Sequence, residues 1–231
     1  MKRFYKTVTT VSDQDGFAIA LDGRQIKTPG KSSLIMPSET LAAAVADEWR
    51  AQEEEINPDS MPLTQLVNTA VDRVGTRMDE VIEELVAYAH TDLVCYRETE
   101  QDDLSQKQNE VWQPYLDWLK FTLGIELKTT SGVMPLTQDD PVVETLRKEL
   151  QQFDAFTLTA FHAFVAGFGS IVIALAMVRG FKDFENCWEA SHLDALHQES
   201  LWGLDAEVEE KRSRLKAELL ASLDLWHFAR A

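Results

Sequence analysis

Positive charge is what this chain has little of. Its 231 residues hold 22 Lys and Arg against 39 Asp and Glu, a formal net charge of −17. Phosphate binding needs a basic footprint, so this balance argues against nucleic acid as a partner. It argues equally against adsorption to anionic lipid. The deficit is uneven. Residues 1–35 carry six basic residues (Lys2, Arg3, Lys6, Arg24, Lys27, Lys31) and three acidic ones (Asp13, Asp15, Asp22), a surplus of +3 that leaves −20 for the remainder. Two surfaces of different character, and two domains, are consistent with that asymmetry. Cysteine is scarce too. Cys95 and Cys187 lie far apart and no CxxC occurs, which leaves zinc and thioredoxin-like chemistry unsupported. Two free, buried thiols in a reducing compartment are expected. Met1-Lys2-Arg3-Phe4-Tyr5-Lys6 leads straight into strand-like sequence, without a signal-peptide core or an Arg/Ser-rich transit segment.

A working phosphate loop is also missing. Thr28-Pro29-Gly30-Lys31-Ser32-Ser33 looks like the end of one, but six residues separate Gly23 from Gly30 where a P-loop has four. Only Ser32 to Met36 follow before Pro37, too short a run for a helix whose N-terminus would face the phosphates. A lysine-bearing turn between two strands is the expectation. There is no Gly-x-Ser-x-Gly elbow. Gly167-Phe168-Gly169 lacks the third glycine of a dinucleotide fingerprint. Among His90, His162, His192, His197 and His227, the pair His192/His197 is spaced by five and shares no helical face, so a metal pair is not expected. His90 beside Asp92 reads as a helix-ending histidine rather than a catalytic one. The acidic pairs Asp102-Asp103 and Glu209-Glu210 read as solvated helix surface. Nothing assembles an acid, a base and a nucleophile. No catalytic residue, cofactor or metal ligand is expected.

What is present divides in two. The first 37 residues read as β: Phe4 to Val11 is rich in Thr and Val, and Phe17, Ile19 and Leu21 alternate with alanine as in a half-buried strand. Asp22-Gly23 is a hairpin signal, with Arg24 to Thr28 as the return strand and Leu34 to Met36 as a further short one. From Ser38 the period becomes helical. Ser38 caps a helix through Ala42, Val45 and Trp49, with Glu48 and Arg50 outward. Pro62 opens a second helix ending near Gly75, and Thr76 with Asp79 resembles a capping box for a third. A long helix spans Asp103 to Leu123, kinked or begun at Pro114 and stopped by Gly124. Ile125 and Leu127 suggest a short strand. Asp140 then Pro141 starts a helix reaching about Phe153. Acidic amphipathic helices follow from Asp183, interrupted at Trp202-Gly203.

Residues 155–178 contain no Asp, Glu, Lys or Arg. That length could span a bilayer. Gly167-Phe168-Gly169-Ser170 splits the run, however, and no polybasic flank or aromatic belt accompanies it. The expectation is a helix pair buried in protein, with Gly167, Gly169 and Ser170 admitting a close neighbour.

Several blocks carry a family resemblance. They are Arg3-Phe4-Tyr5-Lys6, Leu21 to Pro29, Leu41-Ala42 with Glu48-Trp49, Met61-Pro62-Leu63-Thr64 and Thr69-Ala70. Further along come Thr91 to Arg97, Trp112-Gln113-Pro114, Gly169-Ser170 and Trp202-Gly203-Leu204-Asp205. In this order, over nearly the whole chain, the sequence resembles the assembly chaperones of the F-type ATP synthase catalytic head that are dedicated to its α subunit. The resemblance implies an α+β chain: a small N-terminal β-rich α/β domain, placed at residues 1–75, and a larger all-α domain at 76–231 with a buried central helix pair. It implies a chaperone and not an enzyme. Such a protein holds the free α subunit, covers the apolar surface that later meets the β subunit, and releases it. It implies a monomer when free, without cofactor, nucleic acid or membrane span. Its compartment would be the bacterial cytoplasm, or the mitochondrial matrix for a mature eukaryotic form. One departure is Asp194-Ala195, where the family often has Asp-Glu. The expected client contacts are Glu199, Trp202, Asp205 and Glu207, with Asp194 as a further candidate: a helix break exposes an aromatic flanked by carboxylates. The alternative for Trp202 is core packing. Two other functions compete: a small hydrolase or ATPase using Lys31 or the Thr91–Arg97 block, and a membrane-associated assembly factor using residues 155–178.

Overall fold

A computed structural model of the chain describes residues 1–99, 103–132, 134–203 and 205–231. Asp102 and Leu204 therefore lie outside the described residues. The fold is α+β and divides into two units, each discontinuous in sequence. One comprises Met1–Met78, Phe153–Phe161 and Lys216–Ala231; the other comprises Asp79–Gln152 and His162–Leu215.

In the first unit, β1 (Val8–Asp13), β2 (Gly16–Leu21) and β3 (Arg24–Gln25) form an antiparallel sheet in the order β1-β2-β3. Leu21 pairs with Arg24, so Asp22-Gly23 is the two-residue turn, with φ of 49° and 81°. Both central residues thus take the left-handed conformation that a primed hairpin turn requires. The alternation predicted a half-buried β2. Instead Ala18, Ile19, Ala20 and Leu21 are all buried, so side chains on both faces of β2 are covered; α1 (Glu39–Arg50) packs on the sheet. The return strand is shorter than expected, and Met36 contributes one isolated bridge to Phe17.

Ser38 caps α1 by accepting from Leu41 N at 3.0 Å. Glu48 does not point outward. Its carboxylate accepts from Leu63 N and Thr64 N, each at 2.7 Å, and from the Thr64 hydroxyl at 2.6 Å. Those N–H groups open α2 (Pro62–Thr69), and a helix start leaves them without intrahelical partners. Glu48 thereby joins two of the resemblance blocks physically. The Arg3–Lys6 block is accounted for as well: Arg3 N donates to Glu54 O, Ile56 N donates to Met1 O, and the Tyr5 hydroxyl donates to Trp49 O at 2.7 Å. After α2 a π-helical turn, Ala70–Val74, leads to Gly75. Thr76 makes no capping box. Its hydroxyl donates back to Arg73 O at 2.9 Å, which closes the preceding turn. Phe153 meets both Phe161 and Trp226 edge-on within this unit.

The second unit is helical. It holds α3 (Met78–Ala87) from Asp79 onward, α4 (Asp103–Leu123) and α5 (Asp140–Leu150). Pro114 sits inside α4. The α5 N-cap is Asp139 rather than Asp140, and the helix stops three residues before Phe153. Ile125 and Leu127 are buried but not in a strand. A parallel pair that the periodicity does not announce, β4 (Tyr96–Arg97) with β5 (Thr130–Ser131), takes its second strand from just beyond them in sequence.

The uncharged run is two helices, α6 (Ala155–Phe168) and α7 (Ile171–Val178). Among the described residues, no helix is long and apolar enough to cross a membrane. Ser170 caps α7 by accepting from Ile173 N at 3.0 Å, and every residue from Ile171 to Met177 is buried. Close packing is not what Gly169 supplies. A Cβ there would meet nothing within 4 Å; the residue is needed for its φ of +64°. Asp92, fully buried, accepts from Val94 N and Val172 N at 3.1 Å each, tying a 3-10 turn (Leu93–Cys95) to the start of α7. Burial pushes its carboxyl up to about 6.

The chain continues through α8 (Phe184–Ser191), α9 (Leu193–Trp202) and α10 (Ala206–Ala229). Asp183 caps α8, accepting from Asn186 N at 2.9 Å.

Candidate interaction surface

The phosphate-loop look-alike is already occupied by the protein itself. Asp72 accepts from the Thr28 hydroxyl at 2.6 Å and from Gly30 N at 2.7 Å. An internal carboxylate thus takes the donors that a phosphate would need, and Thr28's hydroxyl, foremost, holds the Asp72 carboxyl below its ordinary range. His90 ends a 3-10 turn (Tyr88–His90), and its Nδ1 accepts from Gln138 N at 3.1 Å, while Asp92 faces α7. Among the described residues, no group of three or more His, Cys, Asp and Glu is placed to hold a metal ion.

The five residues singled out from the sequence fall on α9 and the start of α10, in different settings. Asp194 accepts from Gln108 Nε2 at 2.9 Å. Gln108, buried on α4, also accepts from Glu98 N through its side chain and receives Arg97 on its own carbonyl. Asp194 therefore anchors α9 to α4. Glu199 pairs with Arg212 at 2.5 Å, each side chain only 19% exposed. Asp205 accepts from Glu207 N at 2.8 Å at the start of α10, and Glu207 pairs on the surface with Lys211 at 2.7 Å. Trp202 does not enter the core: it is 83% exposed. The glycine after it has φ +88°, which ends α9 there.

α9 contains no buried residue although it carries Leu193, Leu196, Leu201 and Trp202. Polar ties hold it, and apolar side chains stay out: Leu196, Leu201 and Trp202 are exposed, as is Val208 on α10. Large exposed apolar groups concentrated in one stretch mark interaction sites in soluble proteins. Beside this helix, α4, α8 and α9 border a groove of about 430 Å³. Tyr115 forms part of its wall, its hydroxyl donating to Asn186 O at 3.3 Å. The groove is not legible in the sequence. Its only local signals are a proline within a helical pattern and the i, i+3 spacing of Leu193 and Leu196.

Residues 2–120 match the family described as ATP12 chaperone protein. The chain belongs to that family. The mitochondrial protein atp12 of Schizosaccharomyces pombe is 27% identical over 234 residues, covering 96% of this chain and 80% of that protein. The crystal structure of Atp12 from Paracoccus denitrificans is 38% identical, with a TM-score of 0.95 over 99% of this chain and 98% of its own. An Asp-to-Lys mutant of the same bacterial protein superposes equally well. The Atu1473 protein of Agrobacterium tumefaciens follows at 34% identity and a TM-score of 0.93, covering 98% and 85%. As an ATP12-family member the protein is an ATP synthase assembly chaperone and not an enzyme.

Proposed function

We propose that this ATP12-family chain binds the free α subunit of F-type ATP synthase, prevents its aggregation and supports assembly of the catalytic head. The resemblance over nearly the whole chain supports the choice of client. The observation that carries the mechanism is α9, a helix with no buried residue that ends on an 83% exposed tryptophan. A protein without reactive groups acts by mass action: binding an exposed interface lowers the free concentration of the aggregation-prone subunit. Trp202 supplies the aromatic anchor, and the carboxylates of Asp205 and Glu207 beside it steer basic groups on the client. Asp194 and Glu199 take part through the position of α9, which their bonds to Gln108 and Arg212 maintain. The chaperone works as a monomer in the bacterial cytoplasm, or in the mitochondrial matrix if it is a mature eukaryotic form.

The test is light scattering of isolated α subunit diluted from denaturant, with isolated β subunit in parallel. Equimolar chaperone should suppress α aggregation and leave β unchanged. Equal suppression of both, or of neither, would remove the α-specific reading. Trp202→Ala and Glu207→Lys should each weaken capture while the melting temperature stays within about 2 °C, as expected for exposed positions.

A further inference from the structure

We infer that the groove between α4, α8 and α9 receives a segment of the client that presents an apolar side chain next to a lysine or arginine. This rests on the α-subunit reading above and adds a location and a recognition chemistry to it.

Three observations lead there. The groove is apolar where Val111, Ala190, Leu193 and Leu196 line it, and carboxylates from both sides, Glu110 of α4 and Glu189 of α8, stand at its edge. Both carboxylates are exposed. One cation, Lys182, lies on the lining and sits over the Phe181 ring at 5.3 Å. Second, Pro114 adds its ring to the apolar lining one turn from Glu110, whose carboxylate accepts from Gln106 Nε2 at 2.9 Å and keeps further acceptor capacity for a guanidinium or ammonium group. Such charge-assisted hydrogen bonds are the stronger kind. Third, the lining comes from three separate helices, α4, α8 and α9, so the groove has the helix-walled form that receives a peptide segment. The exposed Leu201 and Trp202 at the far end of α9 lie on another side of that helix.

Charge narrows the occupant. A second copy of this chain brings −17, and nucleic acid and anionic lipid bring phosphate, so each meets a like-charged rim. An apolar segment flanked by a basic residue complements both floor and rim.

The experiment measures the Kd of full-length chaperone for isolated α subunit. Variants are Glu110→Lys/Glu189→Lys, Leu196→Lys, and a control reversing exposed carboxylates elsewhere, Glu53→Lys/Glu84→Lys. The groove pair and Leu196→Lys should raise Kd at least tenfold, the control less than twofold, and Lys182→Glu should tighten binding. Circular dichroism and melting confirm that each variant is folded; if the pair is not, Glu189→Gln replaces it and should still raise Kd about threefold. Tight binding by wild type with unchanged Kd in the groove variants overturns the groove and leaves the α-subunit reading standing. An equal loss in the control variant overturns it too, as a general charge effect. No binding of the α subunit by wild type overturns both.

Discussion

Asp72 and Thr28, 44 residues apart, share a hydrogen bond of 2.6 Å that closes the lysine-bearing turn from inside. Gly30 makes it possible. A Cβ on Gly30 would come within 2.6 Å of an Asp72 oxygen, so the backbone can approach the carboxylate only without a side chain. Gly30→Ala should lower the melting temperature, and in an Asp72→Ala background the same substitution should cost much less. A double-mutant cycle by thermal melting measures this coupling. Lys31, at φ +69° and exposed, should tolerate alanine with little change. Lys31→Gly should stabilise by about 0.5–1 kcal/mol by relieving the left-handed backbone. Titration calorimetry with Mg-ATP should give no saturable heat with either protein.

Gly169 is required for conformation rather than space. Replacement by alanine and by leucine should therefore cost nearly the same, about 1–2 kcal/mol each, since both force a side chain into the left-handed region. Overpacking would instead make leucine distinctly worse. Parallel urea denaturation of the two variants separates these outcomes.

Asp92 links stability to pH. Its folded carboxyl titrates near 6 because burial disfavours the charge, above its ordinary 3.8. The folded state then holds the proton more tightly than the unfolded state. The associated stabilisation is complete below about pH 4 and is lost as pH rises through 6, a difference of about 3 kcal/mol. Asp92→Asn removes this titration and turns an NH₂ toward one of the two N–H donors. The variant should be less stable than wild type, and the gap should be wider at pH 4.5 than at pH 7.5, as read by chemical denaturation at both values.

Glu199 and Glu207 should behave differently on reversal. Glu199→Lys places like charge against Arg212 at a largely covered site and should destabilise by about 1.5–3 kcal/mol. The swap Glu199→Lys/Arg212→Glu should recover part of that. Glu207→Lys, on an exposed pair, should shift stability by less than about 0.5 kcal/mol. Loss of client capture in Glu199→Lys is thus interpretable only beside its melting curve.

Glu48→Ala should cost about 1–2 kcal/mol, because the N–H groups of Leu63 and Thr64 lose their acceptor at the start of α2. Thermal melting with Thr64→Val as a companion shows how much of this belongs to the hydroxyl.

Local signals were legible where the responsible residues are neighbours. The bounds Asp103–Leu123 follow from the apolar period and Gly124, and the split of the uncharged run follows from Gly169-Ser170. The cap on α2 was not legible, since it comes from Glu48 on another helix. Neither was the parallel pairing of Tyr96 with Thr130, nor the burial of β2 on both faces, which depends on what packs over the sheet. For the candidate surface, the sequence located an aromatic and carboxylates around a helix break. It did not say that Asp194 and Glu199 are engaged by Gln108 and Arg212, or that Leu193 and Leu196 border a groove with Glu110 and Glu189.

The amino-acid sequence by itself determined the first hairpin, most of the helices and where several of them stop, and which family's blocks the chain carries. Periodicity, caps and turn residues act within a few positions, and those are written along the chain. Tertiary structure alone decided which carboxylates are engaged in holding the fold and which face outward. A side chain's partner is chosen by how distant segments pack: Asp72 meets Thr28, Glu48 meets Thr64, and Glu110 and Glu189 are brought to one groove from separate helices.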